Sequence, residues 1–426
     1  MPPRVAIVAG LRTPFAKAGT AYRDLTALDL ARVCVRELVE RSEIDPSWVD
    51  TVVMGQVVPS VKAPNLAREA ALRAGLPASC PAHTVNRACA SANQAIVDVV
   101  SSIHAGHAEV GIAGGAESLS DVPILHSRNM ARALVEASRA RSLGARLRPF
   151  MRLRPRDLIP ETPALAEPST GLTMGESAEK MARENGISRE TQDRIAWLSH
   201  TRAAAALDDG RLGPEICRVH VPPSYEVAVE ADNLIRRDTT PETLASLPPV
   251  FDRKYGTVTA GNSSPLTDGA AAVLLMSEER AAREGCEPLA FVRAWAVAAV
   301  DPAGQLLMGP ALAIPRALER AGLALADMDL IEMHEAFAAQ VASNIQALES
   351  PDWARENLGR PEPVGRVDPE TLNVSGGSIA LGHPFGATGA RITTTLAREL
   401  KRRGARHGLL SVCAQGGMGF AMVLER

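Results

Sequence analysis

The chain of 426 residues carries 46 Lys and Arg against 49 Asp and Glu, a net charge of −3, with 46% apolar residues and six widely scattered cysteines. A near-neutral balance offers no global attraction to nucleic acid, and the cysteine spacing is not that of a disulfide-stapled secreted domain, so reduced thiols and a cytoplasmic location are expected. No run approaches the ~20 apolar residues of a membrane span, and the opening MPPRVAIVAG is too short and interrupted for the apolar region of a signal peptide.

In chain order, the apolar runs Val5 to Ala9, Thr51 to Met54, Val110 to Ala113, Leu409 to Cys413 and Ala421 to Leu424 read as buried strands. Helical spacing appears from Leu28 to Glu40, at Ala92, Ala95, Ile96, Val99, Val100 and Ile103, from about Ser177 to Asn185, and from Ile314 to Ala321. The alternation of the two patterns predicts an α/β architecture. An offset of 279 aligns Val39-Glu40-Arg41 with Leu318-Glu319-Arg320 and Val49-Asp50 with Met328-Asp329. A second echo, Val110 to Gly115 against Ser411 to Gly417, again ends an apolar run on paired glycines, and the two in the same order predict duplicated halves. Residues 121–245, rich in arginine and proline, read as an insertion that caps the site. The N-terminal half is then 1–120, continued by about 246–285, and the C-terminal half is 286–426.

Four clusters carry chemistry. Cys89, in Asn86-Arg87-Ala88-Cys89-Ala90-Ser91, precedes a helix whose N-terminal N–H groups favour thiolate, lowering the thiol from its free value of about 8.5. Taken alone it reads better as a small buried hydrophobe capping the helix, as most intracellular cysteines do. His383 lies in a loop with five glycines from Gly376 to Gly389, fixed between Gly382 and Pro384, and so presents its imidazole rigidly. Cys413 ends an apolar run beside Gly416 and Gly417, and the C-terminal ends of strands are where α/β folds place ligands. His334-Glu335 sits at a strand-to-helix junction. No CxxC pair or HExxH stands in the chain, nor any GxGxxG or Walker loop, so neither a metal nor a nucleotide cofactor is expected.

In order and spacing these clusters (NxxCAS, HEAF, NxxGGxxALGHPxGAxG and CAQGGMG) resemble the thiolase family across almost the whole chain. The resemblance implies a five-layered core of two α/β/α halves with an inserted loop domain. It implies a CoA-dependent cleavage of 3-ketoacyl-CoA, with coenzyme A as co-substrate and no permanently bound cofactor. By the same resemblance Cys89 is the nucleophile, His383 activates it, and Cys413 is the acid/base for the second thiol. One oxyanion hole uses His383 with His334, and the other the backbone N–H groups of Cys89 and Gln415. His334 departs from the Asn that many members carry, and it resembles the thiolase subunits of fatty-acid β-oxidation complexes. That favours medium or long acyl chains over acetoacetyl-CoA synthesis, and suggests a hydratase/dehydrogenase partner subunit and a homodimer or homotetramer. The loop Ala260 to Gly269 resembles the family's pantetheine contact, with Ser264 at the matching position; as a bare turn it would cap a following helix.

From Arg128 to Arg156 nine arginines face Glu136 alone, which reads as a solvated helical face or, functionally, as a contact for CoA phosphates, a partner subunit or a peripheral membrane surface. Three other readings are a biosynthetic acetyl-CoA acetyltransferase that forms acetoacetyl-CoA, a condensing ketosynthase, in which a histidine normally replaces the second cysteine, and a non-catalytic thiolase-like lipid-binding protein, which would lack at least one of the catalytic residues.

Overall fold

The computed structural model describes residues 3–160 and 166–426. Nine strands follow one sheet path: β1 (Val5–Arg12), β2 (Thr51–Gly55), β3 (Ala82–Val85), β4 (Val110–Glu117), β5 (Thr267–Ser277), β6 (Ala290–Ala299), β7 (Leu330–Met333), β8 (His407–Ala414) and β9 (Met418–Glu425). Their spatial order is β7-β8-β9-β6-β1-β5-β4-β2-β3. The helices that matter for the site are α1 (Ala27–Arg41), α2 (Ser91–His104), α3 (Met174–Glu184), α4 (Arg189–Asp208), α5 (Gly309–Ala321), α6 (Ala338–Glu349), α7 (Ser378–Leu381) and α8 (Thr388–Arg403).

The duplication read from the offset is a topological fact. In the first half β1 pairs antiparallel with β5, β5 antiparallel with β4, and β4 parallel with β2. In the second half β6, β9, β8 and β7 repeat the same three pairings in the same senses. A short antiparallel contact, Val5 to Ile7 against Val292 to Ala290, joins them.

Alternation along the strands sorts side chains into layers, because successive residues point to opposite faces. Val5 and Ile7, Val273 and Leu275, and Val412 enter a central core with Ile96, Val99, Ile392 and Leu396 of α2 and α8. Ala6, Leu274 and Met276 face the other way onto Leu30, Val35 and Leu38 of α1. On the far side Ala294, Ala296, Val423 and Leu409 pack on Ile314, Ala317 and Leu318 of α5. The result is helix, sheet, helix pair, sheet, helix, the five-layered α/β arrangement expected above, with α2 and α8 in the doubly covered middle.

Two local readings change. The helix predicted from Ile314 starts at Gly309, because Pro310 occupies the first turn, where no backbone N–H is needed, and Pro315 is accommodated inside. No helix follows the Ser264 turn: Thr267–Ser277 is a strand buried on both faces, so its uninterrupted apolar run reflects a central strand. Within the stretch read as an insertion, Val122–Ala166 forms a small compact unit of its own, and from Glu167 the chain belongs to the unit containing both halves.

One buried ion cluster ties the chain around β1. The fully buried Arg12 donates to both Asp232 oxygens at 2.6 and 2.9 Å and to Glu215 at 2.7 Å. Removing one partner leaves a charge that neither water nor protein fully compensates. Asp232→Ala is expected to destabilise the fold by about 3–5 kcal/mol, seen as a lowered thermal unfolding midpoint.

Candidate active site

Cys89 stands on a tight turn between β3 and α2. Ala88 is held at φ 46°, a conformation disfavoured for a residue with a Cβ. The turn closes because Asn86 Oδ1 accepts from the Ala88 N–H at 3.0 Å, while Ser91 Oγ accepts from the Arg87 N–H at 2.8 Å and donates to the Ala88 carbonyl at 2.6 Å. This over-determined turn holds the thiol where substrate can reach it: Cys89 keeps partial exposure although its surroundings are core.

His383 comes from the loop between α7 and α8. Its backbone N–H is bound by Thr267 Oγ1 at 3.0 Å. Its Nε2 lies 3.2 Å from Cys89 Sγ and its Nδ1 2.6 Å from Thr388 Oγ1. The preceding Gly382 has φ 98°, and a Cβ there would collide with Leu234 and Thr267, so only glycine allows this approach.

His334 follows β7 and is wholly buried, its ring centroid 4.1 Å from that of His383. Its Nδ1 lies 2.8 Å from Ser378 Oγ, and its Nε2 has no hydrogen-bond partner among the described residues. The donor atoms of Cys89, His334 and His383 all fall within 4.8 Å of one another. Cys413, at the end of β8, is 1% exposed and close enough to feel Cys89 electrostatically. The Gln415 backbone N–H faces the Cys89 sulfur, as does the N–H of Cys89 itself. Cys89, His334, His383, Cys413 and Gln415 therefore converge, from strand ends and a helix-flanked loop contributed by both halves.

Burial sets the protonation states, and it overturns the thiolate expectation for Cys89. Desolvation pushes its thiol up to about 12, outweighing the Gln415 and Cys89 N–H groups that favour the anion. The helix contributes less than expected because α2 begins two residues later, at Ser91. Desolvation, with the Arg391 charge adding to it, carries His383 down to about 3. His334 is likewise driven well below its ordinary range, and burial raises Cys413. Burial thus favours the neutral forms of both thiols and both imidazoles in the resting site.

Several supporting residues were given no role in the motif reading, Glu335 among them although it stands beside His334 in HEAF. Glu335 is buried and accepts from Ser199 Oγ at 2.7 Å, Asn373 Nδ2 at 2.7 Å and the Ile379 N–H at 3.1 Å, so one carboxylate fastens the His383 loop to β7 and α4. A Cβ at Gly377 would strike that carboxylate. Glu117, pushed by burial up to about 7, accepts from the N–H groups of Val57, Val58 and Gly386, each at 3.0 Å. Glu167 anchors the Gly416 N–H at 2.9 Å. Isolated acidic residues have no sequence pattern, and only the chain's path brings loop N–H groups to them.

Ser264 lines a cleft of about 520 Å³ together with Lys17, His200, Arg236, Leu247 and Leu266. The Ser264 N–H is tied to the Ala336 carbonyl at 3.0 Å, and Leu266 bridges to His383, so the cleft runs alongside the catalytic loop. Its apolar walls with basic Lys17 and Arg236 suit a long polar chain ending in phosphates.

Comparison with known proteins defines the family and the fold. Models of the thiolase N-terminal domain and the thiolase C-terminal domain match residues 5–279 and 286–426. The chain belongs to the thiolase family. It is 52% identical over 422 residues to a 3-ketoacyl-CoA thiolase of Aeromonas salmonicida and 51% identical over 422 residues to one of Serratia proteamaculans, each alignment covering 99% of this chain and 97% of the relative. Among solved structures, the Bacillus anthracis acetyl-CoA acetyltransferase superposes with a TM-score of 0.85 at 36% identity, covering 100% of this chain and 99% of that one. The human mitochondrial 3-ketoacyl-CoA thiolase superposes with a TM-score of 0.83 at 35% identity, over 99% and 98% of the two chains.

A neutral resting pair has a direct signature. The alkylation rate of Cys89 by iodoacetamide is expected to keep rising between about pH 6 and about pH 9, because the thiolate fraction still grows there. A rate independent of pH across that range, as a thiolate–imidazolium pair gives, would contradict it.

Proposed function

We propose that this protein is a 3-ketoacyl-CoA thiolase, cleaving 3-ketoacyl-CoA with free CoA to acetyl-CoA and a shortened acyl-CoA. The observation that carries the reading is the 3.2 Å approach of His383 Nε2 to Cys89 Sγ beside the buried Cys413.

As Cys89 attacks the 3-keto carbon, its proton passes to His383 Nε2. The C2–C3 bond breaks, leaving an acyl thioester on Cys89 and an acetyl-CoA enolate that takes the proton of Cys413. CoA then enters, its thiol proton returns to Cys413, and the CoA sulfur attacks the acyl carbon. Cys89 departs as thiolate and recovers its proton from His383. The kinetics are ping-pong.

Negative charge develops twice on oxygen. The tetrahedral oxygens on the acyl carbon are placed to meet the Cys89 and Gln415 N–H groups, and the enolate oxygen meets His383 and His334; each donor contributes roughly 3–4 kcal/mol in comparable sites. Burial matters here: imidazolium forms only together with the anion that balances it, so the charge separation is confined to the reacting state. Ser264 and its cleft hold the pantetheine. CoA enters as co-substrate, and no group is held permanently.

His334 in place of Asn favours the degradative direction on medium or long acyl chains, in a cytoplasmic homodimer or homotetramer with a hydratase/dehydrogenase partner. Among the described residues no helix is long and apolar enough to cross a membrane. Within Val122–Pro160, however, all nine arginines from Arg128 to Arg156 are exposed, together with Ile124, Leu143, Leu147, Met151 and Ile159. Basic and apolar groups exposed on one small unit suit an anionic lipid surface or an acidic partner.

The activity is tested by loss of the ultraviolet absorbance of magnesium-chelated 3-ketoacyl-CoA when CoA is added. Cys89→Ala and Cys413→Ala are each expected to lose at least about 10³-fold in rate, and equal activity in wild type and Cys89→Ala would refute the mechanism. Replacing Arg128, Arg132, Arg139 and Arg146 with Ala is expected to weaken co-sedimentation with anionic liposomes and leave cleavage unchanged. Liposome and partner binding unaffected by those changes would sink the surface assignment.

A further inference from the structure

Both histidines of the site are held through Nδ1 by a hydroxyl, but the two hydroxyls are not equivalent. Thr388 Oγ1 lies 3.3 Å from the Pro384 carbonyl, an acceptor only, and donates to it. Thr388 is therefore free to accept from His383 Nδ1–H, and His383 Nε2 is left with a lone pair aimed at Cys89, as a base requires.

Ser378 stands in the opposite situation. Its Oγ accepts from Arg391 Nη2 at 3.0 Å, and a guanidinium has no lone pair to receive the serine proton. Ser378 is 0% exposed, and the acceptor within reach of its hydroxyl proton is His334 Nδ1 at 2.8 Å. The reverse arrangement, with His334 Nδ1–H donating, would strand a buried O–H and leave His334 Nε2 as a second bare lone pair beside that of His383. Buried polar groups without partners are costly, so the hydrogen-bond network selects the first arrangement.

We propose that Ser378 and Arg391 are positioning residues that hold His334 as the Nε2–H tautomer, with this N–H kept ready for the thioester oxygen of the acyl-CoA. The two imidazoles, 4.1 Å apart, then have opposite tautomers and opposite tasks. His383 takes a proton and becomes a donor only afterwards, whereas His334 is a donor from the start. The unpartnered Nε2 of His334 follows from this: its partner is the substrate. Arg391 is itself buried, with Glu332 Oε2 3.7 Å away, and its guanidinium charge adds to burial in opposing a second proton on His334.

The proposal deepens the thiolase reading and rests on it, and two measurements keep them apart. Nitrogen-15 spectra of histidine-labelled, ligand-free protein, with His334→Asn for assignment, are expected to show His334 protonated at Nε2 and His383 at Nδ1. A Nδ1-protonated His334 overturns the proposal whether or not the protein turns over 3-ketoacyl-CoA. In the assay, Ser378→Ala is expected to lower kcat about tenfold or more in the His334 background and less than about twofold in the His334→Asn background, where no imidazole remains to orient. Equal losses in both backgrounds would assign Ser378 a merely structural role. If Ser378→Ala does not fold, the wild-type spectrum alone decides.

Discussion

Removal of water from the Cys89–His383 pair is the constraint on which the rest of the site depends. With Nε2 3.2 Å from Sγ and burial pressing both groups toward their neutral forms, the Cys89–His383 pair itself stores no charge at rest. A buried charge pair would need compensation in every unliganded molecule, whereas charges created during the reaction arise together with an oxyanion and its donors. Low local polarity thus strengthens each hydrogen bond to the developing oxygen while leaving the empty site uncharged.

Such a site works only if its donors are already in place, and the fold supplies that rigidity from the strand ends of both halves. Glu335, Glu117 and Glu167 each clamp loop N–H groups that have no other ladder to join, so the loops bearing His383 and Gln415 are held almost as firmly as strands. The strained Ala88 turn and the left-handed Gly382 lie on either side of the Cys89–His383 contact. Both persist because the surrounding hydrogen bonds leave the backbone no alternative.

Much of this was legible in the chain. The duplicated halves were visible because helix and strand periodicity survive in the 279-residue offset, while Cys89, His383 and Cys413 stood out as candidates only when their motifs were taken together as a resemblance to the thiolase family. The start of α5 was missed because two prolines hid its first turn. The strand after Ser264 was not legible, and the bare-turn reading placed a helix there, because a strand buried on both faces loses the alternation that identifies it. The state of the Cys89 thiol was misjudged because a helix terminus is local and desolvation is not.

By itself, then, the sequence determined the elements and their repetition, since these follow from periodicity over short spans, and its motifs marked the candidate reacting groups. The tertiary structure alone decided how deeply those groups are buried, which acidic residues clamp the loops, and which hydroxyl faces each histidine Nδ1. Those properties arise from burial and from partners up to 294 residues apart, as between Cys89 and His383, and no local pattern in the chain encodes them.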